Sequence, residues 1–387
     1  MNRFPTTRLL EIQARVEALT ESKIAPMAQR VDRECIWPAH SMQALADEGL
    51  LGLNVAENLG GLGQGLLGLS VVTETIGRVC PSSALCFGMH SVATAVIAAK
   101  ATRYQEDQYL RPIARGEHIT TLALAEQGSG AHFWLPETSL AANDGHYRVN
   151  GAKQFVTNGG HADSYVISTL ASEETSELGD FSCLVVDRDT AGMTWLEAWQ
   201  GFGMRGNSSR GVRFDDACVP RGNLLGQEGD QVWYVFEVVA PYFLMAMAGT
   251  YLGIAQSAVD LASNHLRSRG YSHSGETLAG VEALQTCFAE MWVTAEKCRG
   301  LVREAATRGD LGQPDALPFL LACKADAADT AVKLANDAMT LCGGQAYREN
   351  SRVAQILRDA RAGHVMSPTT NILKSWTGRA LLGLPLL

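Results

Sequence analysis

The apolar positions change period twice along the chain. Leu9, Ile12, Val16 and Leu19 recur at spacings of three and four, which puts them on one face of a helix. Ser41 is placed to cap a second helix whose apolar side carries Leu45 and Leu50. NLGGLGQGLLG (58–68) reads as a loop, because glycines at that density break helices and strands alike. A long apolar helical pattern resumes at Leu69, breaks at Pro81 and continues to about Ala99. Near Thr120 the segments become short and rich in Val, Phe and Tyr: HYRVNGAKQFVTNG (146–159), SYVISTLA (164–171), FSCLVVD (181–187) and GVRFDDACVP (211–220). They predict an all-β unit in which Asn150-Gly151 forms a hairpin turn. After Gly229 the helical period returns. Leu321, Ala325, Ala328, Val332, Ala335 and Met339 form one stripe that stops at Gly343-Gly344, and a last helix is expected from Thr369 to Leu382.

The order α, β, α predicts a mostly α fold with a central β-domain (α+β). At 387 residues the chain is too long for one typical core. It divides into an N-terminal helical domain (1–118), a middle β-domain (119–228) and a C-terminal four-helix bundle (229–387), whose long amphipathic helices leave a face for subunit contacts.

Composition narrows the function. Lys+Arg is 32 against 41 Asp+Glu, so the net charge of -9 argues against holding nucleic acid by a general basic field. It does not exclude a small polyanionic ligand gripped by a few arginines and helix N-termini. The nine cysteines stand singly with no CxxC, which reads as small buried hydrophobes in a reducing, cytoplasmic setting. The apolar stretch 243–262 is interrupted by Thr250, Gln256, Ser257 and Asp260, so it reads as a core helix and no membrane span is expected. The nine histidines show no metal-ligand spacing, so no metal site is expected. Gly63, Gly65 and Gly68 satisfy GxGxxG, but a helical segment precedes them and no acidic residue follows at ribose distance, so the dinucleotide reading is set aside.

Longer segments in fixed order carry more. LAEQGSGAHF (124–133), NGAKQFVTNGGHADSYVI (150–167), GFGMRGNSSRGVRFDDACVPRGNLLGQEGDQ (201–231), LCGGQAYREN (341–350) and ILRDARAGHVMSPTTNILKSWTGRALLG (356–383) together resemble the acyl-CoA dehydrogenase family over nearly the whole chain. The resemblance implies FAD between the β-domain and the bundle, an acyl-CoA or other acyl thioester as substrate, and a homodimer or homotetramer in which a neighbouring subunit closes over the diphosphate. An electron-transfer acceptor or molecular oxygen would take the electrons.

By that resemblance, Leu122, Leu124, Ala125, Gly130 and Ala131 belong to the first flavin loop, with Ala125 and Ala131 replacing two usual hydroxyl residues. Phe155 would pack on the isoalloxazine and Thr157 would bond near its reactive N5 edge, the two facing one way along a strand. Arg269 matches an arginine that reaches a neighbour's diphosphate. Gly343 and Gly344 match a glycine pair that contacts the cofactor from the partner subunit, Thr340 stands at a cofactor position where a glutamine is usual, and Thr369 with Asn371 matches a cofactor-contacting pair at the last helix.

The chemistry departs from the pattern. The family removes the substrate's α-proton with a glutamate shortly after Arg358-Asp359-Ala360, and Ser367 stands at that place. Some members carry the glutamate on an early bundle helix, where Phe243 stands; Glu237 lies nearly two turns away and is expected to point elsewhere. His364 is the nearest substitute base in sequence. Three readings stay open: α,β-dehydrogenation with an atypical base; FAD-dependent oxygenation or oxidation, which needs no glutamate; or binding of FAD or a thioester without activity, as an assembly partner.

Overall fold

The computed structural model describes residues 6–130, 132–172, 180–198 and 200–386. The first third folds into helices, among them Thr7–Leu19, Ala25–Glu34, Ala39–Asp47, Leu66–Gly77 and Pro81–Ala99. Leu9, Ile12, Val16 and Leu19 are all buried on the first of these. Ser41 does not cap: the helix starts at Ala39, and Ser41 lies inside it, buried, accepting a hydrogen bond from Ser83 Oγ at 2.9 Å. The helix that follows the glycine loop is capped from afar, since the Asp310 carboxylate accepts from the N–H groups of Leu66 and Leu67 at 2.6 and 3.0 Å. A Cβ on Gly65 would lie 2.1 Å from Asp310 Oδ1, so this glycine makes room for a carboxylate cap.

The middle third forms two four-stranded sheets. One runs β1 (Thr120–Ala123), β4 (Ser164–Thr169), β5 (Ser182–Asp187), β8 (Leu224–Leu225); the other runs β2 (Ser139–Asn143), β3 (His146–Val156), β7 (Arg210–Pro220), β6 (Met193–Trp195). Asn150-Gly151 is not a turn. Strand β3 continues through it, with a register shift against β7 at that point, and the hairpin turn is Asp144-Gly145, where Gly145 has φ +71°. Gly151 is required by crowding, because a Cβ there would come within 2.8 Å of Thr138 Cα.

The last third holds three long helices, Ala240–Ser268, Glu282–Asp310 and Ala316–Cys342, with Arg352–Val365 and Thr370–Leu381 packed against them. The first and last thirds share one hydrophobic core. Leu66–Gly77 lies so close on Ala240–Ser268 that a Cβ on Gly253 would meet Glu74 O at 2.4 Å. Two helical stretches, Pro81–Ala99 and Gln231–Ser268, are apolar and long enough to cross a membrane by composition, and both are mostly buried in this core. The cysteines are unpaired; six are buried, Cys35 is half-buried, and Cys218 and Cys287 are exposed, so the buried-hydrophobe expectation does not hold for those two.

His90 joins helix to sheet. Its Nε2 donates to Leu51 O at 3.0 Å and its Nδ1 accepts from Thr120 N–H at 3.1 Å, an arrangement that needs the neutral ring. Burial pushes its pKa down to about 4.

Candidate active site

A cleft of about 610 Å³ opens between the β-unit and the bundle. Six chain segments line it. Pro81–Ala99 contributes Leu85 and Met89; β1 and the loop after it contribute Leu122, Leu124, Ala125, Gly130 and Phe133; the end of β3 contributes Gln154, Phe155 and Thr157. The loop before β7 adds Gly203, Met204, Asn207 and Ser209, and the bundle adds Val239, Ala240, Phe243 and the turn Val365–Pro368.

The backbone at this cleft is held in sparsely populated conformations. Phe155 (φ +53°), Asn158 (+61°), Met204 (+52°) and Ser208 (+50°) are four of the six described non-glycine residues with positive φ. Phe155 and Thr157 therefore do not share a side by strand alternation. The strand ends at Val156 after a second register shift, and the left-handed turn at Phe155 throws its ring outward to 61% exposure while Thr157 stays buried. Thr157 Oγ1 lies 3.4 Å from Ser209 Oγ.

Two buried charge systems hold the walls. Lys153 on β3 is fully buried; its ammonium donates to Glu126 Oε1, to Ser168 O at 2.5 Å and to Ser168 Oγ at 3.1 Å. Glu126 also accepts from Glu137 N–H and from the N–H and hydroxyl of Thr138. Burial draws the Lys153 pKa down and Glu126 opposes it. The second system comes from the Arg358-Asp359 pair. Arg358 binds both Asp32 oxygens and donates to Phe202 O at 3.1 Å. Asp359 Oδ1 accepts from Met204 N–H at 2.7 Å, and burial pushes its pKa up to about 6. Gly203 fits only as glycine, since a Cβ would lie 2.2 Å from Arg358 O.

Of the residues singled out from sequence, Leu122, Leu124, Ala125, Gly130, Phe155, Thr157 and Ser367 meet in this cleft. Ala131 lies outside the described residues. His364 does not line the cleft: its ring nitrogens bond to Asp329 Oδ1 at 2.8 Å and Arg361 Nη1 at 2.7 Å, with Lys374 on the other Asp329 oxygen. Glu237 is exposed and outside the cleft; it sits in a π-helical segment, Val235–Val239, which shifts the register of the helix entering the bundle. Among the described residues Glu126 is the only carboxylate lining the cleft, and Lys153 and Thr138 occupy it.

Arg269, Thr340, Gly343 and Gly344 lie away from this cleft, exposed near the ends of Ala240–Ser268 and Ala316–Cys342. Arg269 has no hydrogen-bonding or ionic side-chain partner among the described residues, and the space around Gly343 and Gly344 is open. Thr369 is the N-cap residue of Thr370–Leu381 without a side-chain capping bond, and Asn371 is exposed in its first turn. Phe133, Met204, Asn207, Ser209, Leu85 and Met89 were not singled out from sequence. The left-handed backbone at Met204 and Ser208 has no local signature, and the apolar liners look like any core residue.

These residues fit a flavin dinucleotide. An exposed aromatic ring beside two hydroxyls suits a tricyclic ring system, and Gly130, with φ +53° and nothing near its Cβ position, lets backbone approach a ligand. A partnerless arginine and an uncapped helix N-terminus suit phosphates.

A helical–β–helical chain with such a cleft at the junction is the architecture of a flavin-dependent oxidoreductase. The N-terminal, middle and C-terminal domains of acyl-CoA dehydrogenase match residues 6–117, 121–217 and 241–382. The cyclohex-1-ene-1-carbonyl-CoA dehydrogenase of Geobacter metallireducens is 30% identical, covering 95% of this chain and 96% of its own. The acryloyl-CoA reductase (NADH) of Anaerotignum propionicum is 28% identical over 98% and 96%. The crystal structure of acyl-CoA dehydrogenase from Geobacillus kaustophilus superposes with a TM-score of 0.90 at 26% identity, covering 98% of this chain and all of that one. The chain belongs to the acyl-CoA dehydrogenase family: it is an FAD-dependent oxidoreductase of acyl-CoA.

Proposed function

We propose that this chain desaturates an acyl-CoA between Cα and Cβ without a glutamate base. The cleft lining carries this reading: Ser367 and Phe243 stand at both places where a family glutamate would, and Glu126 is engaged by Lys153. Bound FAD supplies the acceptor for the hydride from Cβ. Leu85, Met89, Leu122, Leu124 and Phe243 give the acyl chain an apolar bed and keep water from it. The proton at Cα leaves on the half-exposed Ser367 side of the cleft, away from the apolar bed, to solvent water. A hydroxyl without an activating partner is a poor acceptor, so the site suits an acyl group whose α-hydrogen is already acidified. His364 has no part in this, because its ring is turned to Asp329.

The isoalloxazine would lie on Phe155 with Thr157 at its edge. Arg269, Thr340, Gly343 and Gly344 of a second copy would complete the diphosphate site, in a homodimer or homotetramer. Thr369 and Asn371 offer the helix N-terminus to the same cofactor.

The lack of an available carboxylate among the described residues of the cleft lining also supports a second reading, an oxygenase or oxidase on this fold, since such a reaction needs no α-proton abstraction. One experiment separates them. The FAD-loaded enzyme is mixed with an acyl-CoA panel without oxygen. Flavin bleaching with enoyl-CoA formation supports desaturation. No bleaching, followed by oxygen-18 in the product when labelled oxygen and a reductant are admitted, supports oxygenation.

A further inference from the structure

The turn that carries Ser367 closes around a buried cation. Lys324, on Ala316–Cys342, is fully buried, and its ammonium donates to Gly363 O at 2.8 Å, Met366 O at 3.1 Å and Pro368 O at 2.9 Å. Three N–H groups meet three carbonyls, which uses the ammonium's whole donor capacity. Among the described residues it makes no ion pair, so these carbonyls alone compensate for the loss of water. Gly363 and Met366 stand at the C-terminal end of Arg352–Val365, where carbonyls lack intrahelical partners and a cation is favoured.

The contacts bracket Ser367. Met366 and Pro368 are its immediate neighbours, and Ser367 itself takes no part in the anchoring. Two further contacts hold the same segment: Tyr251 OH donates to Met366 Sδ at 3.3 Å, and Thr370 Oγ1 donates to Gly363 O at 3.3 Å. Helix packing leaves little slack, since a Cβ on Gly363 would lie 2.7 Å from Ala328 Cβ. Lys324 stands behind the turn and is absent from the cleft lining, while Met366, Ser367 and Pro368 are present in it.

We propose that Lys324 is the positioning residue of the Ser367 wall: by gathering three carbonyls of the turn onto one ammonium, it fixes where residue 367 meets the acyl thioester. A residue that only filled space would not need a charge here, and burying an ammonium is costly unless its acceptors stay in place. The cost itself therefore enforces the turn's shape, because any rearrangement that releases a carbonyl leaves a buried charge underbonded. Burial pushes the Lys324 pKa down to about 7, and the three carbonyl contacts are met together only by the protonated amine with its three N–H donors. This inference rests on the reading of the cleft as the acyl-thioester site.

The test uses FAD-loaded enzyme with Lys324→Met, which keeps the volume and removes the donors, in the parent and in the Ser367→Glu background. Two readouts are taken. Amide exchange is followed in the segment 363–370 by mass spectrometry, with strands β4 (Ser164–Thr169) and β5 (Ser182–Asp187) as the internal reference. Values of kcat and KM are measured with butyryl-, isobutyryl- and cyclohex-1-ene-1-carbonyl-CoA. Expected are exchange about tenfold faster in 363–370 with the reference unchanged, and in the Ser367→Glu background a kcat about 100-fold lower with KM within about threefold. Equal acceleration of exchange everywhere, or unchanged exchange and kcat, overturns the proposal. So does a loss that appears only in KM. If Lys324→Met does not fold, Lys324→Gln, with two donors left, is expected to fall between parent and loss; parent-like behaviour in both readouts overturns the proposal. Absence of turnover in every background defeats the reading of the cleft, and the exchange result then decides alone whether Lys324 holds the turn.

Discussion

Phe243 and Ser367 line one cleft, although the first lies near the start of the bundle and the second follows Arg352–Val365. On the reading proposed above, each stands where the family would carry its glutamate, and neither side chain is a carboxylate. The sole described carboxylate of the cleft lining, Glu126, is committed to Lys153 and to the backbone of Glu137 and Thr138.

That commitment makes the Glu126–Lys153 pair a structural keystone of the loop after β1. Lys153→Met is expected to lower stability by about 3–5 kcal/mol, because it strands a buried carboxylate. Adding Glu126→Gln should restore part of the loss. Chemical unfolding of the two variants checks this; equal stability of the single and double variants would show that the carboxylate is not stranded.

His90 sets an acid limit. Its folded pKa of about 4 lies below the ordinary value of 6.5, so between these the unfolded chain binds more protons than the native one. Its contribution is full above pH 6.5 and is lost as pH falls through 4, amounting to about 3 kcal/mol at the acid end. His90→Gln should flatten that limb of a stability-against-pH curve. An acid limb unchanged in this variant would assign the loss to other groups.

Arg269 tests the partner-subunit reading. Arg269→Met should weaken FAD retention by about 1.5–3 kcal/mol, roughly ten- to a hundredfold in affinity, through loss of a charge-assisted phosphate contact. Equilibrium dialysis of the purified variant measures it. The loss should appear with the flavin's visible band shape unaltered, because Arg269 lies far from Phe155 and Thr157 in the chain and outside the cleft.

Much of this is legible in the sequence alone. Strong periodicity marked the helices, as at Leu321–Met339, which lies within Ala316–Cys342. Ordered motifs brought Leu122, Leu124, Ala125, Gly130, Phe155, Thr157 and Ser367 to one place. What failed was local. Asn150-Gly151 has turn chemistry, yet cross-strand pairing on both sides of it keeps β3 continuous and turns it into a bulge. Ser41 has capping chemistry, yet the helix begins two residues earlier and buries it. His364 lies three residues before Ser367 in sequence, and the helix points its ring at Asp329. The three-carbonyl anchor at Lys324 had no sequence signal, since its partners are backbone atoms.

The central claim is that the cleft keeps a dehydrogenase's geometry and lacks only its carboxylate. The most direct measurement is the anaerobic rate of enoyl-CoA formation by FAD-loaded Ser367→Glu against the parent, across the acyl-CoA panel. A restored general base predicts a rise of about 100-fold or more. A variant that binds FAD and acyl-CoA as the parent does, yet forms enoyl-CoA no faster, would contradict the account.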